Sequence, residues 1–267
     1  MTDNLLVTDA HCHVYPEAIA KKASDHTGTF YGETPAHGGT TEELIRSGTE
    51  AGVDRFLIQS VATAPKQVKS INEFIANETK KYPDKFIGFG TLHPENENLK
   101  EDFLHAYDLG LHGIKLHPDC QKFLLDDEKC DMIYSLCSEY DMPLLVHLGD
   151  KRYEYSSPLR MMSVMHRFDK LKVIGAHLGG WSLWEELPSE LFKIKNLWVD
   201  CSSSIDYIPI ELSKEIFSRY GADKILFGTD YPLHSPKNVM AILKKMDLPR
   251  GDMKKILNDN FDLLIRK

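Results

Sequence analysis

Eight short apolar runs, each followed by a stretch with helical spacing, constrain this chain more than any other feature. The runs cover residues 5–13, 55–61, 86–91, 113–117, 143–147, 172–177, 197–200 and 224–230. Most are apolar on both faces, the mark of parallel strands covered on both sides. The intervening segments 40–52, 65–80, 98–109, 126–139, 158–168, 209–220, 237–246 and 252–265 repeat apolar residues every three or four positions and predict helices. Segment 181–194 predicts a helix only in part, because Pro188 interrupts it. Thr40 followed by Glu43 reads as a capping box at the second-strand approach. Residues 15–39, rich in Gly, Thr, Pro and His, read as a long irregular connection of the kind that forms lids and binding loops.

Strand and helix alternating eight times without a break in composition predict a single (β/α)8 TIM barrel spanning residues 1–267. An open, doubly wound sheet is the alternative; its dinucleotide glycine fingerprint is missing. A barrel brings the carboxyl ends of all its strands to one mouth, and here those ends carry polar residues. His11 and His13 close the first strand and share a face, since side chains alternate with a period of two. Cys12 between them points the other way and is expected to pack. His147 closes the fifth strand, His177 the sixth and Asp230 the eighth. Imidazole nitrogen and carboxylate oxygen suit zinc at about 2.0–2.2 Å, and also manganese or iron.

Composition excludes several classes of function. A net charge of −8 argues against non-specific binding to nucleic acid or to an anionic membrane. No apolar run approaches the roughly 20 residues of a membrane span. No basic stretch followed by an apolar core and a cleavage site marks a secretory signal. The five cysteines, an odd number without a C-x-x-C, suggest neither a disulfide framework nor a thiolate zinc site. These features together lead to the expectation of a cytoplasmic protein with a small-molecule substrate. A homodimer is the default assembly for such barrels.

The motifs Asp9-Ala10-His11-Cys12-His13, Gly113-Ile114-Lys115-Leu116-His117-Pro118, Leu145-Val146-His147, Ile174-Gly175-Ala176-His177-Leu178-Gly179-Gly180 and Ile225-Leu226-Phe227-Gly228-Thr229-Asp230-Tyr231-Pro232 run the length of the chain. Together they resemble the amidohydrolase superfamily, specifically the amidohydrolase-2 branch that includes aminocarboxymuconate-semialdehyde decarboxylase and related hydrolases. The resemblance implies that His11, His13, His147 and Asp230 bind one divalent metal ion, zinc first and manganese or iron as alternatives. It implies that His177 is an acid/base or electrophile beside the metal, or a ligand of a second ion. Asp230 would serve both as ligand and as base. In binuclear members a fourth-strand lysine becomes a carbamate bridging two metals, so Lys115 is either that bridge or a cation for a substrate anion. Asn260 resembles a structural position of the family's last helix.

Around this core, Arg152 and Tyr153 are candidates to bind a substrate carboxylate, and His234 is placed to reach the substrate. His93 is expected in a structural loop role, Trp181 and Trp184 in packing, and His26 and His37 in solvent. The leading expectation is a hydrolase in which metal-bound hydroxide attacks an amide, ester or lactone. The alternative is a metal-dependent, non-oxidative decarboxylase, since the branch contains both. A TatD-like deoxyribonuclease also begins with H-x-H, but its strand-end glutamate has no counterpart here, where Lys115 stands at the fourth strand. A scaffold that has lost its ligands is the remaining class, and every candidate ligand is present.

Overall fold

The computed structural model describes residues 5–265. Eight parallel strands follow one another in sequence order around a barrel. They are β1 (Thr8–His13), β2 (Arg55–Gln59), β3 (Phe86–Thr91), β4 (Gly113–Leu116), β5 (Leu144–Val146), β6 (Val173–Gly175), β7 (Leu197–Asp200) and β8 (Ile225–Leu226). The fold is a (β/α)8 TIM barrel, as the alternation predicts. β1 meets the segment just past β8 through Ala10 N–H donating to Phe227 O at 2.8 Å, Asp230 N–H to His11 O at 2.9 Å and His13 N–H to Tyr231 O at 2.7 Å.

Inside the barrel, Leu57, Phe89, Leu145, Ile174, Trp198 and Leu226 interlock, and Phe261 and Leu264 of the last helix pack into them. Outside, a larger cluster fills the space between strands and helices, and the fully buried Cys12 belongs to it, pointing away from the histidines. Each large side chain so buried contributes about 1.5–3 kcal/mol. Asn260 sits at the start of that last helix and donates to Ala222 O at 2.7 Å and Ile225 O at 2.8 Å. It ties the helix to the approach of β8, a structural task. His93 also stays local, its Nδ1 accepting from Glu95 N–H at 3.3 Å.

The helices are α1 (Glu17–Tyr31), α2 (Thr41–Glu50), α3 (Val68–Lys81), α4 (Leu99–Asp108), α5 (Pro118–Gln121), α6 (Asp131–Glu139), α7 (Pro158–Arg167), α8 (Ile210–Tyr220), α9 (Pro236–Lys245), α10 (Arg250–Lys254) and α11 (Asn260–Ile265). A π turn, Lys255–Asp259, joins the last two. Thr40 caps α2, accepting from Glu43 N–H at 3.3 Å, but Glu43 turns outward to accept from Gly38 N–H at 2.8 Å instead of completing a capping box.

One expectation is corrected and one is narrowed. The stretch 15–39 is not an irregular loop, because α1 occupies most of it. Its inward face is a ladder of small residues, Ala20, Ser24 and Gly28, spaced by four, and such a face lacks the large apolar residues that announce a helix. Segment 181–194 forms only two 3₁₀ turns, Trp184–Glu186 and Leu191–Lys193. Pro188 and the left-handed Ser182, with φ of 62°, prevent a continuous helix there. Among the described residues no helix is long and apolar enough to cross a membrane.

Candidate metal centre

At the carboxyl ends of the strands, three ligand atoms from the two ends of the chain converge. His11 Nε2 lies 3.2 Å from His13 Nε2 and 3.5 Å from Asp230 Oδ1, and His13 Nε2 lies 3.4 Å from the same oxygen. A tetrahedral ion with bonds of about 2.0–2.1 Å sets its ligand atoms about 3.3 Å apart, so the spacing fits a divalent metal. The protonation pattern fits as well. His11 Nδ1 donates to Asp200 Oδ2 at 2.9 Å, which puts the lone pair on Nε2, the nitrogen that faces the other two donors and the Lys115 ammonium. Burial, helped by the charge of Lys115, holds His13 well below its ordinary pKa. Burial pushes Asp230 up, but the imidazoles of His11, His177 and His13 and the Ser203 hydroxyl overcome it and hold the acid ionised. Ser203 Oγ donates to Asp230 Oδ2 at 2.6 Å, leaving Oδ1 to face the rings.

Backbone geometry aims these groups. His177 and Asp230 both adopt the left-handed region, with φ of 61° and 63°. Such residues cost about 1–3 kcal/mol and persist where their surroundings fix them. Asp230 is fixed by its N–H bond to His11 O, and His177 by its N–H donating to Asp200 Oδ1 at 3.2 Å. Asp200 therefore organises both halves of the centre. It also receives Ser202 Oγ–H and Ser202 N–H. Sequence reasoning missed it, although it ends the apolar run of β7 as the other candidates end theirs. Replacing Asp200 with Asn is expected to weaken metal affinity about 10–100-fold, measured by titration of manganese or zinc into the apoprotein.

The other candidates divide. His177 stacks on His11 with ring centroids 5.1 Å apart, and its Nε2 lies 3.0 Å from His147 Nδ1. His147 does not join the trio. Its Nε2 donates to Gly149 O at 2.8 Å and its ring lies flat against His117, centroids 4.1 Å apart. Burial, together with His117 and His177, holds it well below its usual pKa. Lys115 is fully buried, and its Nζ sits 3.1 Å from His11 Nε2. Burial pushes it down to about 8 against the pull of Asp230 and Asp200.

Arg152 is not free for a ligand. It chelates Asp150, donates to Phe30 O at 2.7 Å and lies over the rings of Phe30, Tyr31, Tyr153 and Trp181. His26 is exposed as expected, whereas His37 is half-buried, stacked on Tyr231 and paired with Glu43. Trp184 Nε1 donates to His177 O at 3.0 Å, and Trp181 packs edge-on against Tyr31.

A cavity of about 600 Å³ opens directly above His13, Lys115, His147, His177 and Asp230. Its walls are largely apolar, with Ile19, Phe30 and Tyr31 from α1 and Ile71 and Phe74 from α3. The helix hidden in the stretch 15–39 thus forms one wall of the site. Tyr31, which no pattern in the sequence singles out, bonds His117 Nε2 through its hydroxyl at 2.7 Å. His234 is held by Asp206 at 2.8 Å and does not line the cavity.

The barrel, its strand-end donors and the cavity make up a TIM-barrel mouth with a donor set that could hold a divalent ion. A family model described as amidohydrolase matches residues 8–260, and the chain belongs to this family. Among solved structures, an uncharacterised TIM-barrel protein from Bordetella bronchiseptica is similar at 20% identity with a TM-score of 0.82, covering 97% of this chain and 98% of its own. The 5-carboxyvanillate decarboxylase of Sphingomonas paucimobilis is similar at 15% identity, TM-score 0.75, covering 98% and 99%. A dihydroxybenzoic acid decarboxylase from Polaromonas, crystallised with manganese and 2-nitroresorcinol, is similar at 16% identity, TM-score 0.75, covering 98% and 97%. At these identities the likeness establishes the fold.

Proposed function

We propose that the chain is a metal-dependent, non-oxidative decarboxylase of a small, largely planar carboxylic acid. This places the second of the two expected chemistries ahead of hydrolysis. The observation that carries the reading is the apolar, aromatic-walled cavity standing directly on a His-His-Asp donor set. An ionised carboxylate loses solvation in such a space, whereas charge spreads as the carbon–carbon bond breaks. The decarboxylases among the similar folds, one of them holding manganese, point the same way.

In this reading His11, His13 and Asp230 hold the ion, and Asp200 and Ser203 orient them. The ion supplies positive charge that orients and polarises the substrate's oxygens. Manganese is the first ion to test, with zinc and iron after it. Lys115 adds a second positive charge beside His11 for the substrate carboxylate. A carbamate of Lys115 bridging a second ion is disfavoured, because His147 and His177 spend ring nitrogens on each other and on Gly149 O. Phe30, Tyr31, Ile71 and Phe74 exclude water from the breaking bond. The proton that replaces carbon dioxide on the carbon would come from solvent in the cavity, past His177, which lines it and shares a proton with His147.

The test uses manganese-loaded protein with 2,6-dihydroxybenzoate and 5-carboxyvanillate labelled in the carboxyl carbon, beside a panel of amides, esters and lactones in 18O-water. Labelled carbon dioxide from at least one acid, absent after chelation, is the expected result. Oxygen-18 incorporated from the panel with no carbon dioxide from the acids would return the protein to hydrolysis.

A further inference from the structure

The cavity is larger than a single-ring acid needs. At about 30 Å³ for each water, its volume of about 600 Å³ holds roughly twenty waters, whereas benzoate has about nine non-hydrogen atoms. The space also has two ends. Its inner end is the buried floor of Lys115, His147, His177 and Asp230. Its outer end reaches the surface, where the rim residues His26, Thr63, Ser70 and Lys122 are exposed.

Two helix faces connect these ends. Ile19, Ala23, Thr27 and Phe30 line the cavity from α1 at spacings of three and four, and Ile71 and Phe74 line it from α3 at a spacing of three. The distribution along α1 is the reverse of an ordinary amphipathic helix, which packs its large apolar residues and exposes its small or polar ones. Here the packed face is small, Ala20, Ser24 and Gly28, and the large apolar residues Ile19 and Phe30 stand at the cavity instead. Ile19 remains 51% exposed. A continuous apolar surface left open between two helices, rimmed by polar residues and running into a donor set, is the form of a ligand groove.

We propose that the substrate carries an apolar arm of up to about ten atoms beyond its acid head, lying between α1 and α3. Ala23 leaves the space for the arm and Ile19 covers it, so these two residues determine specificity. The acid head rests on the decarboxylase reading, whereas the arm is read by binding alone.

The experiment measures, by calorimetry, the binding of benzoate and of 3- and 4-propylbenzoate to manganese-loaded protein. One propylbenzoate is expected to bind the wild type at least about tenfold more tightly than benzoate, since each fully buried methylene is worth about fourfold. Ala23→Phe, which fills the groove, cuts that gain below about threefold. Ile19→Asn, a neutral change at an exposed position, lowers it by about threefold or more and leaves benzoate binding unchanged. Leu159→Asn is the control for adhesion to the surface. Leu159 is 62% exposed on α7 and does not line the cavity, so this variant keeps the gain.

Equal binding of the propylated and bare acids by the wild type overturns the assignment, as does no binding of any. A gain undiminished in Ala23→Phe or in Ile19→Asn overturns it too. Equal loss of the gain in Leu159→Asn overturns it by showing adhesion outside the groove. Carbon dioxide from 2,6-dihydroxybenzoate and 5-carboxyvanillate is read separately. A gain abolished by Ala23→Phe with no carbon dioxide from either acid leaves the arm standing and removes the decarboxylase. Carbon dioxide release with an undiminished gain in the variant does the reverse.

Discussion

Asp230→Asn is expected to lower turnover by about three orders of magnitude or more while leaving the barrel folded. The substitution keeps the volume, and the amide oxygen still receives the Ser203 hydroxyl that now bonds Oδ2 at 2.6 Å. What disappears is the negative charge at Oδ1, between 3.4 and 3.5 Å from the two histidine nitrogens. A neutral amide is a poor ligand, and the rings of His11 and His13 lose the counter-charge that pairs with an ion. Removing a group that acts in the chemical step commonly costs 10²–10⁴-fold, and this residue also holds the ion. Steady-state turnover, manganese titration and thermal unfolding together separate the effects. A variant that keeps a tenth of wild-type turnover would remove Asp230 from the centre.

Gly149→Ala is expected to be the most damaging single-methyl change near the site. Gly149 adopts φ of +81°, and a β-carbon there would stand 2.5 Å from the Gly180 carbonyl carbon and 2.6 Å from Trp181 N. Both obstacles are backbone, so relief requires the loops after β5 and β6 to part. The left-handed conformation costs about 1–2 kcal/mol and the overlap about 1–3 kcal/mol more. The same movement carries Gly149 O away from His147 and shifts the turn that begins at His177. A misplacement of about 1 Å costs on the order of 10²-fold in rate. Gly52→Ala is the control. Its φ is +84° but nothing lies within 4 Å of the added methyl, so it bears backbone strain alone. Chemical denaturation of the two variants should differ by about 1–3 kcal/mol, with activity lost only in the first. Equal destabilisation would show that the loops after β5 and β6 do not press on each other at Gly149.

The legible part of this molecule is the part written in large side chains. The strands announce themselves because a continuous apolar run is stable only where both its faces are covered, and the barrel follows from counting such runs. His11, His13 and Asp230 stand where the strand-end pattern places them, close enough to share an ion. Two features escaped for physical reasons. The α1 helix presents Ala20, Ser24 and Gly28 inward, so its periodicity carries no hydrophobic signal. His147 reads as a ligand from its strand, yet the direction of its ring depends on the carbonyl of Gly149, which no local pattern records. Arg152 shows the opposite error. A cation near a barrel mouth invites a substrate role, but Asp150 two residues earlier already neutralises it.

The seam between β1 and the segment just past β8 has a consequence of its own. The three backbone bonds that join them alternate with the ligands, since His11, His13 and Asp230 contribute both main-chain and side-chain atoms to the same few ångströms. Whatever occupies the donor set therefore buttons the start of the polypeptide to its distal part. Loading would resist unravelling of the whole cylinder, and stripping would weaken it at one stave.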